Sequence, residues 1–311
     1  MGSFQEELKA LIPPRFAERR QAAIQQIDRH PEIKRLRQAY PDRSGDLTSP
    51  RRYRDVSEHL AQCDACETCP GLIGCQNVQK GHRSVEEPSP DKQDELVFRL
   101  KKCELLKSYE RQQGIGERIK SHFIPEHILN ATFDDIEPDP PRMAAIAGAV
   151  KFCSEFVPKE TVQGLYLYGP MGVGKSCFAG AIARELAKCE VDVLMVYVPD
   201  FIEEVKDAIG SKESVAKKLD ALRTVPVLIM DDIGAESMSG WVRDEVIGPV
   251  LQRRMERLPT IYTSNLTIQE LFKHFANAKG SQDEKKAARI IERIEPFVKL
   301  LPVGGRNRRR G

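Results

Sequence analysis

The run Gly169-Pro170-Met171-Gly172-Val173-Gly174-Lys175-Ser176 constrains the fold more than any other stretch. An apolar segment, Gly164-Leu165-Tyr166-Leu167-Tyr168, leads into it, and a helical pattern over residues 177–188 leads out. Strand, glycine-rich loop and helix in that order are the setting in which such a run cradles phosphate. Its glycines let backbone N–H groups curl around an anion, Lys175 reaches the β and γ phosphates, and the Ser176 hydroxyl ligates magnesium. The helix that follows presents the positive end of its dipole to the same point. A chance glycine turn does not account for the matching context on both sides.

Strand and helix patterns alternate through the rest of this half, which predicts a parallel sheet with helices on its faces. Five short apolar runs, residues 165–168, 193–198, 227–231, 260–264 and 297–301, suit strands buried on both faces. The third ends in two carboxylates, Asp231 and Asp232. An acidic pair at a strand end is also a common turn or helix cap. Here it follows a phosphate loop with another strand between, and that order favours chemistry: Asp231 to hold magnesium through water, Asp232 to orient or deprotonate an attacking water.

The fourth run ends in Ser264-Asn265. Asn265 suits contact with a γ-phosphate or its attacking water, although Asn also caps helices. In Ala287-Ala288-Arg289-Ile290-Ile291-Glu292-Arg293-Ile294, two arginines stand four apart on one helix face. Spacing leaves open a salt-bridged surface or a finger reaching into a neighbouring subunit's site. The tail from Gly304 is basic, through Arg306, Arg308, Arg309 and Arg310, and reads as a solvated charge run or a contact for nucleic acid phosphates.

The first half differs in character. Residues 1–54 alternate short helical patterns with proline and glycine and are mildly basic. Ile33, Leu36 and Tyr40 share one helix face, and Tyr53, Val56 and Leu60 another, so a small helical bundle is expected. Cys63, Cys66, Cys69, Cys75, His82 and Cys103 follow. With eight cysteines in a chain that has no signal-peptide core, metal ligation or buried thiols are expected rather than disulfides. Tetrahedral zinc takes four N or S ligands, and a structural site is closed to substrate. Two overlapping pairs, Cys63 with Cys66 and Cys66 with Cys69, compete, and spacing does not choose between them. Cys103 shares a helical face with Leu96 and Leu100, in a helix expected from residue 95 to 122 and broken near Gly114 and Gly116. Residues 123–141, with Pro138, Pro140 and Pro141, read as a linker.

A length of 311 residues fits two domains, residues 1–122 and 142–311 on either side of that linker. A net charge of +2 provides no global field for nucleic acid, so such contact must be local. No apolar run approaches a membrane span, and a cytoplasmic protein is expected.

Assembled, these motifs resemble the AAA+ ATPases, and within them the bacterial replicative helicase loaders of the DnaI and DnaC kind. The resemblance rests on the phosphate loop with its leading Gly164-Leu165-Tyr166-Leu167-Tyr168, on Met230-Asp231-Asp232-Ile233-Gly234-Ala235-Glu236-Ser237, on Trp241-Val242-Arg243-Asp244-Glu245-Val246-Ile247-Gly248, and on Ala287 to Arg293. It implies an α/β AAA+ P-loop domain with a five-stranded parallel sheet, preceded by a mainly helical, zinc-binding domain that grips the replicative hexameric DNA helicase. ATP with Mg2+ would occupy Gly169 to Ser176 and Asp231. Asp232, Asn265 and Arg293 would take catalytic, sensor and arginine-finger roles, and self-association through the ATPase domain would complete each site.

The resemblance further implies Zn2+ on Cys66, Cys69, His82 and Cys103, with Cys63 and Cys75 as bystanders, and contact with single-stranded DNA during primosome assembly. Two departures from broader AAA+ patterns, aspartate at 232 where many relatives carry glutamate and no second sensor arginine after Arg293, imply a weak, switch-like ATPase. An ATPase helper of transposition and a non-catalytic, nucleotide-stabilised adaptor are the alternatives.

Overall fold

The computed structural model describes residues 14–44, 47–208 and 212–309. The expected pattern before Pro14, and Arg310 and Gly311 of the tail, lie outside the described residues. The chain divides into two compact units, Met1–Gln112 and Gln113–Gly311.

The first unit begins with three helices, α1 (Pro14–Arg29), α2 (Pro31–Ala39) and α3 (Tyr53–Glu67). Ile33, Leu36, Val56 and Leu60 meet in its core with Ile27, Leu47 and Leu96, as the helical periodicity requires. An antiparallel hairpin follows, β1 (His82–Pro88) paired with β2 (Leu96–Lys102), then α4 (Glu104–Arg118), which starts in this unit and runs past its last residue into the second. The hairpin replaces the first turns of the expected helix. In Leu96-Val97-Phe98-Arg99-Leu100 the operative period is two: Leu96 is buried and Phe98 packs on the core, whereas Leu100 is exposed. The unit is therefore not wholly helical, and Cys103 stands between strand and helix rather than within a helix.

The second unit is built on a six-stranded, all-parallel sheet in the order β3-β5-β6-β7-β4-β8. Its strands are β3 (Ile119–His122), β4 (Gly164–Tyr168), β5 (Val193–Tyr197), β6 (Val227–Asp231), β7 (Thr260–Ser264) and β8 (Val298–Pro302). Five match the expected runs, and β3 adds a sixth at the edge. Residues 123–141 are not an open linker: Ile124, Ile128, Leu129 and Phe133 pack against one core and Ile136 is buried in it. That segment belongs to the second unit because its apolar side chains find a surface to cover.

Helices cover both faces. On one side α5 (Met143–Glu155) and α6 (Lys175–Lys188) enclose Leu165, Leu167, Phe178, Ile182, Ile229 and Ile261. On the other, α7 (Val198–Asp207), α8 (Lys212–Thr224), α9 (Gly248–Arg254), α10 (Ile268–Ala276) and α11 (Glu284–Ile291) cover Tyr166, Val196, Leu228, Met230 and Tyr262. The stretch Val242–Ile247 before α9 winds as a π-helix ahead of Pro249, which lacks an N–H to donate. In parallel order, β4, β6 and β7 all deliver their C-terminal ends to one edge. There the phosphate loop, Asp231 and Asn265 converge, as the crevice rule for open α/β sheets requires.

Candidate functional site: a nucleotide cleft

The cleft at that edge encloses about 650 Å3. Its lining includes Gly172, Gly174, Lys175, Ser176, Asp231, Asp232, Thr263 and Asn265, so the phosphate loop and both strand-end motifs share one cavity. Gly172 and Gly174 hold φ of +80° and +93°, where side chains are strained, and Gly174 in that conformation starts α6. Arg142 braces the loop from beneath. It is buried, its Nη2 donates to Val173 O at 2.8 Å, and its guanidinium lies over the Phe178 ring at 5.1 Å.

Lys175 is buried and poised. Its Nζ donates to Gly169 O and Pro170 O, both at 2.9 Å, and to Asn265 Oδ1 at 2.6 Å. Burial lowers its pKa, while Asp232 and Asp231 oppose that shift. Asn265 Nδ2 in turn donates to Asp232 Oδ1 at 2.8 Å. Thr263 Oγ1 donates to Asp231 Oδ1 at 2.6 Å and accepts from Asp232 N at 2.9 Å. Burial raises the pKa of both aspartates. Hydrogen bonds from Thr263 and Ser176 pull Asp231 the other way, and Lys175 does so for Asp232. Asp232 sits at φ +60°, a conformation uncommon for a residue with a side chain and frequent at functional sites. Asp231 beside Ser176 supplies the hard oxygen donors that magnesium takes.

The basic tail is not simply solvated. Arg308 and Arg309 line the cleft. Arg308 N donates to Gly172 O at 2.9 Å, and its guanidinium is anchored on Glu137 and, at 2.5 Å, on Asp139. Two arginines of the tail therefore line the nucleotide cleft, although the motifs offer no second sensor arginine after Arg293. Their signal in the sequence was the charge run, which composition alone assigns to solvent. Thr263, unremarked in its strand, is the other contributor the sequence did not disclose. Arg293 lies outside its own chain's cleft, half-buried, its Nη1 donating to Gly248 O at 3.2 Å.

In the first unit Cys66, Cys75, His82 and Cys103 gather at one end of the β1–β2 hairpin. Asn77 Nδ2 donates to Cys66 Sγ at 3.4 Å and to His82 O at 2.6 Å, and Cys103 N donates to Gly81 O at 2.8 Å. Gly81 N points to Cys75 Sγ at 3.4 Å and Leu106 N to Cys103 Sγ at 3.5 Å. Cys69 is exposed. Thiols that accept N–H bonds suit metal-bound thiolates. Among the described residues, however, no three of Cys66, Cys69, His82 and Cys103 bring their ligand atoms within 4.8 Å of one another; Glu32, His59 and Cys63 do.

A parallel α/β sheet carrying this loop, two strand-end aspartates and a polar residue bridging lysine to aspartate defines a P-loop ATP-binding protein of the AAA+ kind. A profile of the family described as IstB-like ATP binding protein matches residues 144–310. The replicative helicase loader DnaI of Bacillus subtilis (strain 168) is 37% identical over 255 residues, 81% of each chain. The replicative helicase loader DnaC of Escherichia coli (strain K12) is 28% identical over 134 residues, 42% of this chain and 54% of its own. A crystal structure of DnaI superposes with a TM-score of 0.54 at 42% identity, covering 62% of this chain and 98% of that one. The chain belongs to the IstB-like ATP-binding family, among the replicative helicase loaders of the DnaI type.

Proposed function

We propose that the protein is an ATP-dependent loader that binds the replicative hexameric helicase and helps place it on single-stranded DNA when replication begins. The reading rests above all on the likeness to DnaI over 255 residues, more than the second unit contains, so that it reaches into the first unit as well. The first unit grips helicase. The second binds ATP and, through self-association, passes its nucleotide state to neighbouring subunits.

In the cleft, backbone N–H groups of Gly172 to Ser176 and the Lys175 ammonium bind the β and γ phosphates, with Arg309 adding charge from the tail. Ser176 and Asp231 would hold Mg2+, which would neutralise phosphate charge. Asp232 orients the attacking water and takes its proton, and Asn265 senses the γ-phosphate by turning its Nδ2 from Asp232 Oδ1 to a phosphate oxygen. Arg293 enters a neighbouring subunit's cleft. Hydrolysis is slow, because the shorter Asp232 leaves more distance to the water than glutamate would. Cys66, Cys69, His82 and Cys103 would hold Zn2+ only after their ligand atoms draw closer than they stand, and the ion would then act in folding rather than in chemistry.

Pull-down of the full chain with purified replicative helicase, with and without Mg-ATP, tests the function. Retention of helicase, at a level that changes with nucleotide, is expected. No retention under either condition overturns the reading.

A further inference from the structure

In the first unit Cys63, left as a bystander by the resemblance, converges on one point with two side chains that the cysteine and histidine spacing does not single out, Glu32 and His59. His59 and Cys63 stand one turn apart on α3, and Glu32 reaches them from the first turn of α2. His59 Nε2 is 3.6 Å from Cys63 Sγ and 3.5 Å from Glu32 Oε1, and all three ligand atoms lie within 4.8 Å of one another. A cation with zinc's bond lengths of about 2.0–2.3 Å sets tetrahedral ligand atoms roughly 3.3–3.6 Å apart. The two edges that meet at His59 already have that length.

The surroundings are those of a built site. His59 is 1% exposed. Its ring stacks on Phe98 at 4.2 Å, and its Nδ1 is 2.8 Å from Ser84 Oγ. Such a partner on the second ring nitrogen fixes the tautomer and aims Nε2 at the metal in histidine metal sites. Arg35 donates to both oxygens of Glu32, at 2.8 and 2.5 Å, and to Glu86 at 2.6 Å. One guanidinium thus faces two carboxylates. Adding a dication and ionising Cys63 brings the cluster of Glu32, Glu86, Cys63 and Arg35 to neutrality. A cleft of about 470 Å3 opens on Glu32 and Cys63 and gives an ion a way in. Gln62, which also lines it, has a buried Oε1 with no hydrogen-bond partner among the described residues.

We propose that Glu32, His59 and Cys63 form a second metal site in the first unit, one that takes a zinc-class divalent cation and keeps a fourth position open to water. One thiolate, one imidazole and one carboxylate match zinc's ligand preference, and three protein ligands leave the ion exchangeable. The site is separate from the ligands proposed at the hairpin end and does not depend on them.

The test counts metal on the full-length, reduced chain, stripped by chelator, titrated with zinc and desalted, for wild type, Glu32→Gln and Cys63→Ala. Each variant is expected to retain one equivalent fewer than wild type while binding ATP as before. In parallel, zinc should slow alkylation of Cys63 by iodoacetamide at least tenfold in wild type but not in Glu32→Gln. Equal metal content in all three proteins, with alkylation indifferent to zinc, overturns the site. A single wild-type equivalent that both variants keep overturns it too and leaves the hairpin-end ligands standing; a single equivalent that both lose sustains it and removes them instead.

Discussion

Lys175 and Asn265, ninety residues apart in the chain, are joined by a 2.6 Å hydrogen bond from Nζ to Oδ1. The same Asn265 donates from Nδ2 to Asp232. The lysine proposed to bind phosphate and the aspartate proposed to face the attacking water are therefore coupled through one amide. Asn265→Ala breaks this coupling and leaves the loop intact. ATP affinity should stay within about threefold of wild type, and single-turnover hydrolysis should fall roughly a hundredfold or more, the loss seen when one stabilising donor leaves such a site. Unchanged hydrolysis contradicts the sensor role.

Asp231 exchanges stability for function. Burial raises its pKa above the unfolded value. The stability tied to its neutral form is fully present below the unfolded pKa and is lost as pH rises through the folded one, so at neutral pH the buried charge is a cost. Asp231→Asn keeps an oxygen for Thr263 and removes the charge. Without nucleotide its Tm at pH 7 should rise by a few degrees, about 1 kcal/mol for a unit of this size, and the gain should shrink on acidification. Mg-ATP binding should weaken at the same time. Scanning calorimetry across pH, with and without Mg-ATP, checks both signs.

Arg293, held on Gly248 O and away from its own cleft, predicts complementation. Arg293→Ala should bind ATP normally and lose on the order of a thousandfold in assembled ATPase rate. Mixed with Lys175→Ala, which supplies a finger but no functional site, it should recover part of that rate. Absence of recovery in the mixture argues against a role in trans.

Arg309 lines the cleft from the tail and opposes the positive charge of Lys175 while favouring ionised Asp232. Arg309→Ala should weaken ATP binding about tenfold, or about 1.4 kcal/mol, and weaken ADP binding less. Titration with fluorescent nucleotides measures both constants.

The nucleotide half was legible because its signals are local. A buried strand reads as a short apolar run, and a phosphate loop declares itself in eight residues. The first half was harder. Leu96 and Leu100 fit a helical face as well as they fit alternate positions of a strand, and only the packing of Phe98 on His59 decides between the two. The edge strand Ile119–His122 has one neighbour, β5, and four residues, too few for any period to show. Arg308 is brought to the cleft by Glu137 and Asp139, and Arg309 follows it in the chain; these ion pairs span about half the chain, and composition cannot disclose them. The Glu32, His59 and Cys63 cluster joins two helices, and its residues have no motif in common.

The central claim is that nucleotide held by Lys175 governs delivery of helicase to DNA. It is tested most directly by the amount of helicase loaded on circular single-stranded DNA, with Mg-ATP present, by wild type and by Lys175→Ala. Loading by wild type well above the helicase-alone level, falling to that level in the variant while helicase is still bound, is the predicted result. Equal loading by the two proteins contradicts it.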